Sequence, residues 1–182
     1  MVIKRITSLC FAVLYVTMIL TGLSSCTKTD EPGWFVSKKA GFAIKYPEDW
    51  QVTYNSESWI PVVEAESPPD SDTDEFAEYI AVDVEELPHK ITLEEYFKQY
   101  RNELAGEGPY FEEHECGEVK IGGEGAMYLV YEKEMPEAFW VVLAYVMVKK
   151  DKAYVISCAA ENRQFMKHEA KFREVAHTFR FE

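Results

Sequence analysis

The segment Phe139–Val148, FWVVLAYVMV, is apolar at even and odd positions alike. A strand with one face in water alternates apolar and polar side chains. A strand apolar at both parities is buried on both faces, so its sheet must be covered from two sides. Two helical patterns supply the cover. Leu93, Tyr96, Phe97, Tyr100 and Leu104 recur at helical spacing. Thr92 with Glu95 forms a capping box at the start of that helix, and Gly106 and Gly108-Pro109 end it. A second helix is predicted over Arg163–Ala176, with Asn162 as its cap and Phe165, Met166, Glu169, Phe172 and Val175 as its stripe.

Strands fill the intervals. Phe42–Tyr46 and Trp50–Tyr54 are predicted strands joined by a turn at Pro47-Glu48-Asp49, and Trp59–Glu66 is a third, pushed towards an edge by Pro61. Ser67–Glu75 is a Pro- and acid-rich loop. Glu78–Glu85 places Ile80, Val82 and Val84 on one face. Phe111–Ile121 and Ala126–Lys133 flank a hairpin turn at Gly122–Gly125, and Ala153–Ala159 returns after a turn at Lys149–Lys152. Grouped strands without strand–helix–strand alternation indicate an α+β fold, a mainly antiparallel sheet flanked by helices on both faces.

The first residues read differently. Lys4 and Arg5 precede the uncharged, mostly apolar run Ile6–Leu20, the layout of a secretory signal, and the run is short for a membrane-spanning helix. Leu23-Ser24-Ser25-Cys26 follows directly and resembles a bacterial lipobox. That resemblance implies a thioether-linked lipid on Cys26 and cleavage before it. Residues 1–25 are then a lipoprotein-type signal peptide, 26–33 a lipidated end and tether, and 34–182 one domain. An ordinary signal peptide or an uncleaved anchor are the alternatives. The lipid would place the protein on the extracytoplasmic side of a bacterial membrane. Thr27 stands where an inner-membrane retention Asp would sit, which favours the outer membrane if the cell has one.

The chain carries a formal net charge of −13, and removing Lys4 and Arg5 makes it more negative still. Such a surface repels nucleic acid and anionic lipid headgroups alike, and suits a basic partner. Cys116 and Cys158 fall in different predicted strands, and either a disulfide or two buried thiols is compatible with an exported protein. His89, His114, His168 and His177 are scattered, with no helical pair for a metal. Asp70, Asp72 and Asp74 match the first acidic positions of a calcium loop, but Glu75 and Ala81 stand where its Gly and Glu are needed. Gly122–Gly125 leads into a strand and lacks the Lys-Ser/Thr of a phosphate loop. No nucleophile motif is present, so the chain is read as non-enzymatic, without catalytic residues, cofactor or metal.

The stretch GFAIKYPEDWQV (Gly41–Val52) resembles the opening of the PsbP-like domain, with its Gly-aromatic start and Tyr-Pro-x-x-Trp. Leu93–Tyr96, Ile121-Gly122-Gly123, the late strand KAYVISCAA and the closing HTFRFE extend the resemblance across the chain after the tether. It implies an antiparallel sheet between helices, as in extrinsic photosystem II proteins, a small Ran-binding protein and many bacterial lipoproteins. It also implies binding to another protein without chemistry. The expected function is therefore a membrane-anchored lipoprotein that binds or helps assemble an envelope protein complex. Trp59, Ser67–Glu75 and Phe139–Trp140 are the candidate contact regions. The alternative is a binding module for a small apolar ligand in a cavity between sheet and helices.

Overall fold

A computed structural model describes residues 32–55, 62–69, 76–108, 110–134 and 138–182. The signal, Cys26, Trp59 and the calcium-like residues Asp70–Asp74 lie outside the described residues. Within them the chain forms β1 (Trp34–Ser37), β2 (Phe42–Lys45), β3 (Gln51–Tyr54), β4 (Val63–Glu66), β5 (Tyr79–Glu86), α1 (Leu93–Gly106), β6 (Phe111–Ile121), β7 (Glu124–Glu134), β8 (Phe139–Lys149), β9 (Lys152–Glu161), α2 (Asn162–His177) and β10 (Arg180–Phe181). No helix among them is long and apolar enough to cross a membrane.

The main sheet has seven strands in the order β3-β4-β5-β9-β8-β7-β6, with antiparallel pairing throughout. β8 is an inner strand, and Val141–Met147 are buried without interruption, as its double-sided apolar pattern requires. Even-numbered residues of β5 and β9 join α2, with Ile80, Val82, Ile156 and Cys158 packed among Phe165, Phe172 and Val175. The other face meets α1, where Phe97 packs with Leu129, Tyr131, Val142, Ala144 and Val155. The helices cover opposite faces, as expected.

The opening of the domain departs from the sequence reading. Phe42–Lys45 and Gln51–Tyr54 are both strands, but they enter different sheets. β2 sits between β1 and β10 in a small three-stranded sheet, whereas β3 is an edge of the large one. The Pro47 turn therefore passes the chain between layers instead of closing a hairpin. Pro47 has no N–H for a ladder, and Trp50 follows at once with its ring edge-on to Phe172, 6.5 Å away. β1 is too short to show a period, and its partner strand β2 is what stabilises it. Of the expected third strand Trp59–Glu66, Val63–Glu66 is strand and Val62 is not, and 59–61 lie outside the described residues.

Turn chemistry holds at the β6–β7 hairpin, where Gly122 and Gly123 both take positive φ, 59° and 83°. Gly122 also lies against the backbone of Phe179 and Arg180, where a Cβ would meet the Phe179 carbonyl at 3.1 Å. β6 is the other sheet edge, and its pairing is broken by a bulge between Glu113 and Glu115.

Two details of α2 are corrected. Asn162 is the first helical residue, the cap position is Glu161, and no side chain caps the helix. The Asn162 amide instead donates to Glu132 on β7. Met166 is 87% exposed and lies off the buried stripe, which runs through Phe165, Phe172, Val175 and Ala176.

Candidate functional site

The strands of the large sheet end in two chemically different regions. At the end where β7 passes to β8, aromatic rings gather. Phe139 is 43% exposed and stands edge-on to Tyr110 at 5.4 Å. Trp140 is half-buried, edge-on to Phe76 at 6.1 Å and beside Tyr79 at 5.8 Å. Carboxylates surround these rings: Tyr110 donates to Glu112, Glu134 stands opposite Phe139, and Glu161 stands opposite Trp140. Lys133 lies among them, also opposite Trp140. A partly exposed aromatic cluster with a polar rim is the composition of a protein contact surface. Of the expected contact regions, the structure places Phe139–Trp140 here, with Phe139 exposed and Trp140 half-buried on the opposite face of the strand. Ser67–Pro69 is described and 70–75 is not.

The base of that loop holds a polar cluster the sequence did not single out. Glu78 is 1% exposed. Ser67 Oγ donates to Glu78 Oε2 at 2.6 Å and accepts from the Glu78 N–H at 3.0 Å. His168 Nε2 of α2 is 3.3 Å from Glu78 Oε1. Ser and His both address the carboxylate, so the hydroxyl is held by Glu78 and is not aimed at the imidazole as a nucleophile–base pair requires. The cluster ties the two ends of the loop to α2.

On the opposite face, Asp83 of β5 lies under the α1 side of the sheet with Glu64, Tyr79 and Tyr100 nearby. Its Oδ1 is buried and accepts no hydrogen bond among the described residues. Burial first, and then the Glu64 charge, push its carboxyl up to about 7. The Tyr100 hydroxyl, which interacts with Tyr131 and Ser157, is pushed up to about 12, chiefly by burial. Asp83 and Glu64 thus form a carboxylate pair among phenols, and neither lines the cleft found at the turn end of the sheet.

The cysteines are free. Cys116 is opposite Leu129 and so shares the α1 face, whereas Cys158 is opposite Leu143 on the α2 face. Three strand spacings also separate them, about 14 Å, well beyond disulfide reach. Neither sequence reading holds whole: the thiols are unpaired, but only Cys158 is buried, whereas Cys116 on the edge strand β6 is exposed. The four histidines remain apart, and no group of three or more metal-ligating side chains occurs among the described residues.

No protein-family model matches this chain, and no curated protein matches it in sequence. Solved structures do match. Cyanobacterial PsbP from Synechocystis superposes with a TM-score of 0.62 at 17% identity, over 88% of this chain and 99% of that one. The fold is PsbP-like. LpqN of Mycobacterium tuberculosis, described as involved in cell envelope biogenesis, matches with a TM-score of 0.59 and 16% identity, over 83% of this chain and 86% of its own. The Ran-binding protein Mog1p of Saccharomyces cerevisiae matches with a TM-score of 0.51 and 14% identity, over 78% and 90%. The PsbP-like fold carries the expected antiparallel sheet between helices, and here the small sheet shares the α2 face with the helix. Sequence reasoning missed the cluster of Ser67 and Glu78, which meet across the β4–β5 connection, with His168, which α2 packing brings to them; it also missed Asp83, on the other face, which looks like an ordinary strand polar residue.

Proposed function

We propose that this protein is a lipid-anchored, non-enzymatic component of the bacterial cell envelope that binds a protein partner and helps assemble a complex. The lipobox-like Leu23–Cys26 supplies the anchor. The aromatic end supplies the contact, and this is the observation that carries the reading. Phe139, the first residue of β8, and Tyr110, just before β6, form an outward pair, and Glu112 and Glu134 beside them carry negative charge. A basic partner surface with an apolar pocket complements that arrangement, with the aromatic rings as anchors and the carboxylates steering approach. The envelope role described for LpqN, which shares the fold, is consistent with it.

Crosslinking in intact cells of the native organism, followed by capture and mass spectrometry, tests the proposal. The wild-type chain, Cys26→Ala and Phe139→Ala are compared. One dominant partner, lost in Cys26→Ala and reduced at least about tenfold in Phe139→Ala, is the expected result. A partner retained by Phe139→Ala moves the contact to another surface. No partner above background for the wild-type chain overturns the assembly role.

A further inference from the structure

The strands run from the aromatic end to a second end built by turns, and its charge is opposite to that of the whole chain. The β1–β2 turn, the β8–β9 turn and the last residues enclose an open cleft of about 250 Å³. Lys38, Lys39, Lys149, Lys150 and Lys152 line it, together with Tyr154 and Phe181. Five of the 19 basic residues of an acidic chain thus converge on one cleft.

We infer that this cleft is a binding site for a phosphate-bearing anion, with Lys38, Lys39 and Lys150 as its charge contacts. Two of the five lysines are already engaged. Lys149 pairs with Glu124 at 3.0 Å and lies 4.1 Å from the centre of the Phe181 ring. Lys152 Nζ donates to the Lys39 carbonyl at 3.2 Å and so braces the β1–β2 turn against the β8–β9 turn. Lys38, Lys39 and Lys150 are exposed and form no ion pair among the described residues. The cleft also contains the carboxylates of Asp151 and Glu182, and Glu182 is paired with Arg180 at 3.0 Å. The balance at the mouth remains positive.

The framework around these lysines is fixed. The Tyr154 hydroxyl donates to the Ala40 carbonyl at 3.0 Å, and the Glu182 N–H donates to the Gly41 carbonyl at 3.0 Å. Lys150 takes a left-handed backbone, φ 59°, which Gly or Asn adopts at less cost. A cation is therefore carried at a turn position where its backbone is disfavoured.

The chemistry of the lining selects the ligand class. All five basic side chains are lysines, and none is an arginine. Arginine's planar fork grips carboxylate and phosphate alike, whereas lysine ammonium groups act as point charges and can gather around a compact oxyanion such as phosphate. The volume is below that of pockets that enclose whole drug-sized ligands, and it fits a phosphate group with a short substituent. The chain's overall negative charge repels anions at long range, so retention depends on this local concentration of cations and weakens with salt.

The source of the phosphate is either a soluble phosphomonoester or the diester of a lipid headgroup, and titration calorimetry of the full chain in a zwitterionic detergent separates them. Glycerol 3-phosphate is the monoester probe, and glycerophosphoglycerol is the headgroup probe. Saturable binding of the monoester alone assigns a soluble ligand, and binding of the diester assigns a headgroup. Either is expected to weaken at least about tenfold in the combined variant Lys38→Ala, Lys39→Ala, Lys150→Ala, and to be unchanged in Lys98→Ala on α1. All three lysines are exposed, and an unchanged Tm confirms that the variant is folded. Heats equal to a chloride blank for both probes, or equal loss in Lys98→Ala, overturn the inference. The cleft lies at the far end of β8 from Phe139, roughly 34 Å by strand rise, so its failure leaves the partner surface untouched.

Discussion

Asp83 illustrates how one residue makes stability depend on pH. Unfolded, its carboxyl ionises near 3.8; in the native sheet it holds its proton to about 7. Between those values the native state binds the proton that the unfolded state has released, so stability falls as pH rises, and the loss is complete above about 7. Asp83→Asn removes the buried charge. It is expected to raise the stability measured by urea unfolding by roughly 2 kcal/mol at pH 8, and to change it little at pH 4. An equal effect at both pH values would assign the change to packing. Glu78 on the other face is the contrasting case. It is more deeply buried, yet Ser67 and His168 engage its carboxylate.

The two helices are held in different ways. α1 buries Phe97 fully and otherwise lies half-exposed, but its N-terminus is closed by a complete capping box, with Thr92 N–H to Glu95 Oε2 at 3.0 Å and Glu95 N–H to Thr92 Oγ1 at 3.2 Å. α2 has no side-chain cap and is held by four buried residues. Thr92→Ala is therefore expected to cost about 1 kcal/mol and to accelerate amide exchange in α1 ahead of α2, as measured by hydrogen–deuterium exchange. The capping box was legible in the sequence because it is a local rule, satisfied within four residues. The α2 start was not, because Glu132, thirty residues distant on β7, competes for the Asn162 amide. Met166 sits at a spacing that fits the stripe, and only the position of the helix on the sheet decides which of two adjacent residues faces inward.

At the scale of the molecule, two sheets share one core. Phe179, which follows α2, stacks on Phe42 at 5.4 Å and meets Tyr154 edge-on at 5.9 Å, so one ring joins the small sheet to the large one. Phe179→Ala is expected to destabilise by roughly 3–5 kcal/mol while thermal unfolding followed by fluorescence and by circular dichroism stays coincident. Separate transitions would mean that the small sheet melts on its own. The layers on both faces of the large sheet were readable from the two-sided apolarity of Phe139–Val148. The division into two sheets was not, because strands on either side of the Pro47 turn look alike in sequence, and only β2 takes a partner, β10, from the far end of the chain, whereas β3 pairs with the nearby β4. The same holds for both candidate sites. Phe139–Trp140 stood out as an apolar pair after a proline, whereas the lysine cleft is assembled from three separate turns.

The bulged β6 edge has a further consequence wherever copies of the protein are crowded together. An open sheet leaves unpaired backbone at its margins, and a long flat margin recruits strands from neighbouring chains. At one margin β3 is only four residues long. At the other, β6 is eleven residues long, but Glu112, Glu113, Glu115 and Glu118 stud it and the bulge falls among them. Like charges meet if two copies approach edge to edge, and the kink spoils the register they would need. The protein can thus present a seven-stranded sheet at high local density and remain resistant to self-aggregation.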